Sequence, residues 1–333
     1  MLINLHNIQK GRSLLMGFAI LWIITFHYWF LVGTPLTHFF NKGFLGVDIF
    51  MALSSFGLCF SLSKDYNYIN FIKKRVLRIL PTWWLLITLM LIVNLVSGNN
   101  HPQTIWQYIC YYSGLGWWFY HNEPFGIYYY EWYIPTLLLF YLFMPWIYKW
   151  SNKLLLFGFV LSIIAGSLLS YFHIEERLDM SYQRIPVFIF GVLLYRAYKA
   201  VQEGRNIKLI NRACILSSTI GVIGLILIFS GVITGLYGRL LYCFMFAMPL
   251  LLNLLVILFT KIKLYSALSY IGTITLELYI LHIYEVPLRE VLKIIKNRDV
   301  AIIVTTILLV GISFLISKGI SRVMKHLKGS TNR

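Results

Sequence analysis

Ten apolar runs, most of them near twenty residues, restrict this chain to folding in a lipid bilayer. They fall at about 14–33, 44–62, 79–97, 128–148, 153–171, 184–201, 209–231, 239–259, 265–285 and 299–320. A helix needs roughly 20 apolar residues to cross the hydrocarbon core. There it can satisfy all its own backbone hydrogen bonds, which irregular chain cannot. Of the 333 residues, 59% are hydrophobic and only 12% are charged, and mean hydropathy is +0.73. A soluble domain carries about 25% charged residues. The sequence therefore predicts an all-α integral membrane protein of about ten transmembrane helices in one bundle. Connections such as 149–152 are short, so a single domain over 1–333 is expected.

The net charge of +17 could suggest nucleic acid, but the cations sit in short segments between apolar runs. No zinc-finger spacing or basic-aromatic stripe is present. Cytoplasmic loops of membrane proteins collect Lys and Arg. With the N-terminus inside and ten spans alternating, 21 of the 29 Lys and Arg fall on the inside. Both termini are then cytoplasmic, and an inner (cytoplasmic) membrane is the expected location. An eleventh span over 104–120 would spoil the bias. That region holds Gly114, Gly116 and many aromatics, and reads as an interfacial or re-entrant piece. No small-residue cleavage site follows the first run, so it is expected to remain as a helix. Cys59, Cys110, Cys214 and Cys243 are isolated, without metal-ligand spacing. No metal or bound cofactor is implied.

Ionisable residues inside the apolar runs are costly, and their default reading is functional. The first is His27, whose proton equilibrium lies close to neutral and suits a base. A packing histidine bonded to a neighbouring helix is the plainer alternative. The alternation puts His27, Asp48, Arg184, Arg239 and His282 toward the outer half, with Glu277 earlier on the ninth span. Asp48 fits two roles, orienting His27 or capping its helix at the interface. On the inner side, Arg75 and Arg78 are three residues apart and share a helix face, and Pro81 reads as a first-turn proline. Arginine's fork of donors suits phosphate. The plain cytoplasmic flank and contact with anionic lipid also account for these cations. The outside segment from Ser97 to Tyr129 has no Lys or Arg but is rich in Trp, Tyr, Asn and Gln, Trp118 among them. It suits either a polar, uncharged acceptor such as a sugar or a cap over the bundle.

Several stretches resemble the acyltransferase-3 family of integral membrane acyltransferases, which includes bacterial O-acetyltransferases of surface polysaccharides. Met16–Ile20 leading to His27, Gly46–Ser55 around Asp48, Arg75 through Pro81, and Trp132–Pro145 are similar to its early signatures. Arg184–Gly191 and Ile271–His282 are similar to later blocks. The resemblance implies ten core helices, an acyl-CoA co-substrate (usually acetyl-CoA) and a carbohydrate acceptor. It also implies a required histidine at His27, donor-binding arginines at Arg75 and Arg78, and a frequent late histidine at His282. Two positions depart from the pattern. Met16 stands where an arginine is frequent, one helical turn after Arg12, which could take its place. Leu137 stands where many members carry glutamate.

The expected reaction is transfer of an acetyl group from acyl-CoA to a hydroxyl of a cell-surface or lipid-linked carbohydrate. His27 and Asp48 are the catalytic candidates, and Arg75, Arg78 and Arg12 the donor-binding ones. Arg184, Arg239, His282, Trp118 and Trp132 are the acceptor or supporting candidates. Membrane lipid and polysaccharide-assembly proteins are the expected partners, and nucleic acid is not. A transporter or flippase of a lipid-linked saccharide is the alternative, as is a structural or sensory membrane subunit. Transporters are often built on inverted repeats and broken helices, which the sequence does not display.

Overall fold

The computed structural model describes residues 3–98, 101–120, 132–174, 178–233, 237–283 and 286–330. No β-strand occurs among them. The chain opens with α1 (Leu5–Lys10), α2 (Arg12–His27), α3 (Thr37–Phe40), α4 (Gly46–Lys64), α5 (Tyr68–Val96), α6 (Ile105–Tyr112), α7 (Gly116–Tyr120) and α8 (Tyr133–Lys149). It continues through α9 (Asn152–Tyr171), α10 (Asp179–Tyr182), α11 (Ile185–Gln202), α12 (Ile207–Phe229), α13 (Tyr237–Lys261), α14 (Tyr265–Ile271), α15 (Thr275–His282), α16 (Val286–Ile294) and α17 (Arg298–Ser330). Among the described residues, seven stretches are long and apolar enough to cross a membrane, those carrying α4, α5, α9, α11, α12, α13 and α17. The protein is an all-α, multi-pass membrane protein.

The three other expected spans differ from expectation. The first is a helix of 16 residues that stops at His27. The fourth has 17 described helical residues, and its expected start at 128 lies outside the described residues. The ninth is broken into α14 and α15, with residues 284–285 of its expected range outside the described residues. The break falls at Gly272-Thr273-Ile274, a glycine followed by β-branched residues, all weak helix formers. Gly272 is also needed there for space, because a Cβ would collide with the Ser13 carbonyl.

Pro81 does not start a helix. It lies inside α5, because Asn67 caps that helix much earlier. The Asn67 side chain accepts from the Asn70 N–H at 2.9 Å, and its carbonyl accepts from the Phe71 N–H at 2.8 Å. Pro81 removes one backbone donor, a defect that membrane helices tolerate when neighbours satisfy the freed carbonyl. Arg75 and Arg78 therefore sit within a continuous helix. The region 104–120 forms two short helices, α6 and α7, separated at Gly114, whose φ of 81° favours glycine. Neither is long enough to span.

The helices group into two compact units. One comprises Met1–Ala19, Phe44–Phe71 and Leu137–Gly272. Its core sets α4 directly against α11, where a Cβ on Gly191 would strike Ser55 and the backbone of Ala52. Such small-residue contacts let helix backbones approach in lipid. The start of α2 is held in this unit by Ser13, whose hydroxyl donates to the Ser269 carbonyl at 2.7 Å. The other unit comprises Ile20–Gly43, Ile72–Thr136 and Thr273–Arg333. There Trp83 and Trp84 of α5 donate their indole N–H groups to the carbonyls of Tyr111 and Tyr112, each at 2.9 Å. Those bonds fix α6 to α5.

Candidate active site

The second unit brings two histidines together. His27 is the last helical residue of α2, and His282 the last of α15. Their ring centroids are 5.1 Å apart and the planes meet at 77°. His27 is half-buried, whereas His282 is completely buried. The Nδ1 of His282 lies 3.1 Å from the Leu278 carbonyl oxygen. A carbonyl only accepts, so that bond puts the proton on Nδ1 and leaves Nε2 as a lone pair. Nε2 is buried and has no hydrogen-bond partner among the described residues.

The stop of α2 sets where His27 sits. The Phe30 N–H donates to the Thr25 carbonyl at 3.0 Å and the Trp29 N–H to the Phe26 carbonyl at 3.2 Å. These are the paired bonds of a Schellman helix stop, which puts one residue, usually glycine, in the left-handed region. Here that residue is Trp29, with φ of 56°. The apolar run continues past the helix, so hydropathy alone placed the end six residues too late. Tyr28, at the stop, is buried and its hydroxyl donates to the His282 carbonyl at 3.0 Å. It ties the ends of α2 and α15 together.

An aromatic chain leads to the pair. Tyr279 meets the His282 ring at 5.4 Å, Tyr133 meets Tyr279 at 4.6 Å, and Trp132 meets Tyr133 edge-on at 6.2 Å. Trp132 is thus linked to His282 through the rings of Tyr133 and Tyr279. Trp118 sits on α7, half-buried, with its indole nitrogen buried. Arg75 is half-buried and Arg78 exposed on α5. Glu277 lies buried on the helix that carries His282. Tyr28, Tyr133 and Tyr279 escaped sequence reasoning. Only Tyr279 left a signal, one turn before His282 on the same face.

The remaining candidates belong to the first unit. Asp48 and Arg184 are both buried, with the guanidinium Nε 3.6 Å from the carboxylate. Neither carboxylate oxygen has a hydrogen-bond partner among the described residues. Arg184 also donates from Nη1 to the Met180 carbonyl at 3.0 Å. Arg184 is the charged partner that Asp48 has within its own unit. Arg239 is exposed on α13. The exposed Arg12 lays its guanidinium against Gly57 of α4, where any side chain would displace it. Leu137 is buried, as its apolar character demands. A cavity of about 180 Å³ in this unit is lined by Ile3, Ile215, Val222 and Leu250 with two hydroxyls, Ser218 and Thr219. Its lining holds no titratable group.

The profile of the acyltransferase-3 family, described as an acyltransferase domain, matches residues 14–321. A protein of Acidianus two-tailed virus named "Putative acetyltransferase ORF330" is 28% identical over 303 residues, covering 89% of this chain and 88% of its own length. No solved structure matches the chain significantly. The family profile spans both histidines, the paired arginines and nearly every helix, and the chain is a member of the acyltransferase-3 family of membrane acyltransferases.

Proposed function

We propose that the protein transfers an acyl group, acetyl in the first instance, from acyl-CoA to a hydroxyl of a cell-surface or lipid-linked carbohydrate. The observation that carries this reading is the pair of facing imidazoles, within a chain whose family performs acyl transfer. His27 removes the proton of the acceptor hydroxyl as its oxygen attacks the thioester carbonyl. The tetrahedral intermediate then collapses, the carbon–sulfur bond breaks, and an ester and free CoA result. The departing thiolate takes the proton that His27 removed. His282, with its proton committed to Leu278, offers its lone pair to steady the proton gained by His27. An acyl-histidine relay is a variant of the same chemistry.

Arg75 and Arg78 hold the CoA phosphates in this reading, and Arg12 is the third donor-binding residue. Replacing Arg75 or Arg78 with alanine removes a charge-assisted bond. Each substitution should raise KM for acetyl-CoA by roughly 10–100-fold, from about 1.5–3 kcal/mol per bond, with kcat little changed. Lysine in either place should restore only part of the affinity, because it lacks the planar fork. Initial rates across acetyl-CoA concentrations check this, and an unchanged KM in both alanine variants would remove the arginines from the donor site.

Trp118 and Trp132 are assigned to the acceptor, whose sugar faces suit aromatic rings. Arg184 and Arg239 are assigned supporting roles, and Asp48 a catalytic one. The location assigned is the cytoplasmic membrane, beside polysaccharide-assembly proteins. The break between α14 and α15 also suits a translocation path, since transporters place their sites at discontinuous helices. One experiment separates the two readings. Membranes containing the protein are incubated with acetyl-labelled acetyl-CoA and surface glycan from the host, and the label in the glycan is counted. Transfer predicts label in alkali-labile ester. Movement of unlabelled glycan across the membrane without any label in product would establish the transporter instead.

A further inference from the structure

The chain leaves His27 through a turn that costs energy to hold. Two residues of that turn, Trp29 at φ 56° and Leu31 at φ 53°, adopt the left-handed conformation without being glycine. Such a conformation is disfavoured because Cβ crowds the following carbonyl oxygen, and it persists where surrounding groups over-determine it. Trp29 does not hold itself by packing, since its side chain is 56% exposed. The support comes instead from the first turn of α17. There the Asp299 carboxylate accepts from the Leu31 N–H at 2.8 Å, and the Arg298 guanidinium donates to the Tyr28 carbonyl at 3.1 Å. These two bonds grip the backbone on either side of Trp29 and Phe30. Asn297 fixes the grip, because its side chain caps α17 by accepting from the Val300 N–H at 3.1 Å. The Leu31 carbonyl is held as well, by the hydroxyls of Thr34 at 2.8 Å and Thr37 at 2.7 Å.

We infer that Arg298 and Asp299 form a clamp that positions His27 for acyl transfer by locking the helix stop beside it. His27 is one residue before the clamped carbonyl, so any unwinding of the stop turns its ring away from His282. The two clamp residues touch no reacting atom and are positioning residues. The inference rests on the proposed role of His27 as the base, and it makes demands of its own. Misplacement of a catalytic group by about 1 Å can cost roughly 10²-fold.

Asp299→Ala should lower kcat for acetyl transfer to the host glycan by about that 10²-fold factor, leaving KM for acetyl-CoA unchanged. Asp299→Asn should recover most of the rate, because the amide oxygen still accepts from Leu31. Adding Trp29→Gly to Asp299→Ala should also restore rate, since glycine holds a positive φ without help. A merely structural aspartate would not be rescued by relaxing one distant dihedral. A second measurement needs no acceptor. Carbethoxylation of His27 by diethyl pyrocarbonate in membranes, followed by peptide mass spectrometry, should rise several-fold in Asp299→Ala and return to normal with Trp29→Gly. If His27→Ala keeps full transfer, the catalytic reading falls. If His27→Ala is dead but Asp299→Ala keeps both wild-type kcat and wild-type His27 reactivity, the clamp falls alone. Loss of rate in Asp299→Ala without rescue by either second change also overturns it.

Discussion

Replacing His27 with alanine is expected to reduce acyl transfer by at least about 10²–10⁴-fold, the usual contribution of a positioned acid–base group. The protein should still insert, because the change removes one half-buried ring at the end of a helix and leaves the apolar face of α2 intact. Binding of acetyl-CoA should survive, since Arg75 and Arg78 lie on another helix. The result to look for is a kcat effect without a KM effect, which marks an interaction made in the transition state. Label transfer to glycan at saturating acetyl-CoA measures it. Wild-type turnover in the alanine variant would exclude His27 as the base and as an acyl carrier. Glutamine at the same position is the sharper control. It keeps much of the size and a hydrogen-bonding group but cannot take up a proton near neutral pH, so it should be as inactive as alanine.

Arg184→Leu should destabilise the first unit by about 3–5 kcal/mol, the range found when one partner of a buried ion pair is removed. The loss arises because Asp48, completely buried, would be left without its counter-ion and would have to hold an unpaired charge or take up a proton. Removing both charges together is a different experiment. Asp48→Leu combined with Arg184→Leu leaves no orphan, and apolar replacement of a whole buried pair is often neutral or stabilising. The double variant should therefore be more stable than either single one. Cys59, Cys214 and Cys243 lie in that unit and report on it, since they are free and the first two are buried. Their reaction with a maleimide dye during a detergent titration gives the unfolding midpoint. Equal midpoints for Arg184→Leu and wild type would show that the pair carries no stability. A double variant weaker than both single ones would show that the charges act separately. Activity adds a further distinction, because a well-folded but inactive double variant would assign the Asp48–Arg184 pair a role in the reaction beyond the scaffold.

Much of the architecture could be read along the chain. Apolar runs of membrane length are a local property, and so is the aromatic, glycine-interrupted stretch that folds as α6 and α7. The sequence also picked out His27 and His282 as ionisable residues embedded among hydrocarbon side chains, and Arg75 and Arg78 as a pair on one helix face. Where it misjudged, a local signal was outweighed by a tertiary one. Hydropathy carried the first helix to residue 33, but backbone hydrogen bonds end it at His27. The proline at position 81 looked like a helix start, yet an asparagine cap far upstream set the boundary. The ninth span looked continuous because its break contains no charge.

Composition and periodicity by themselves determined that this chain lives in a membrane, that it is built of helices, and which few polar residues are costly to place there. Those conclusions follow from the free energy of moving each residue out of water, which depends on the residue and its near neighbours. Which polar groups meet was decided only by the tertiary structure. The two imidazoles come from opposite ends of the chain, Asp48 is balanced by Arg184 on a distant helix, and the strained exit after His27 is held by residues 268 positions further on. A hydrogen bond or ion pair needs atoms within a few ångströms. No local property of a sequence records a distance between segments that the packing of other helices brings together.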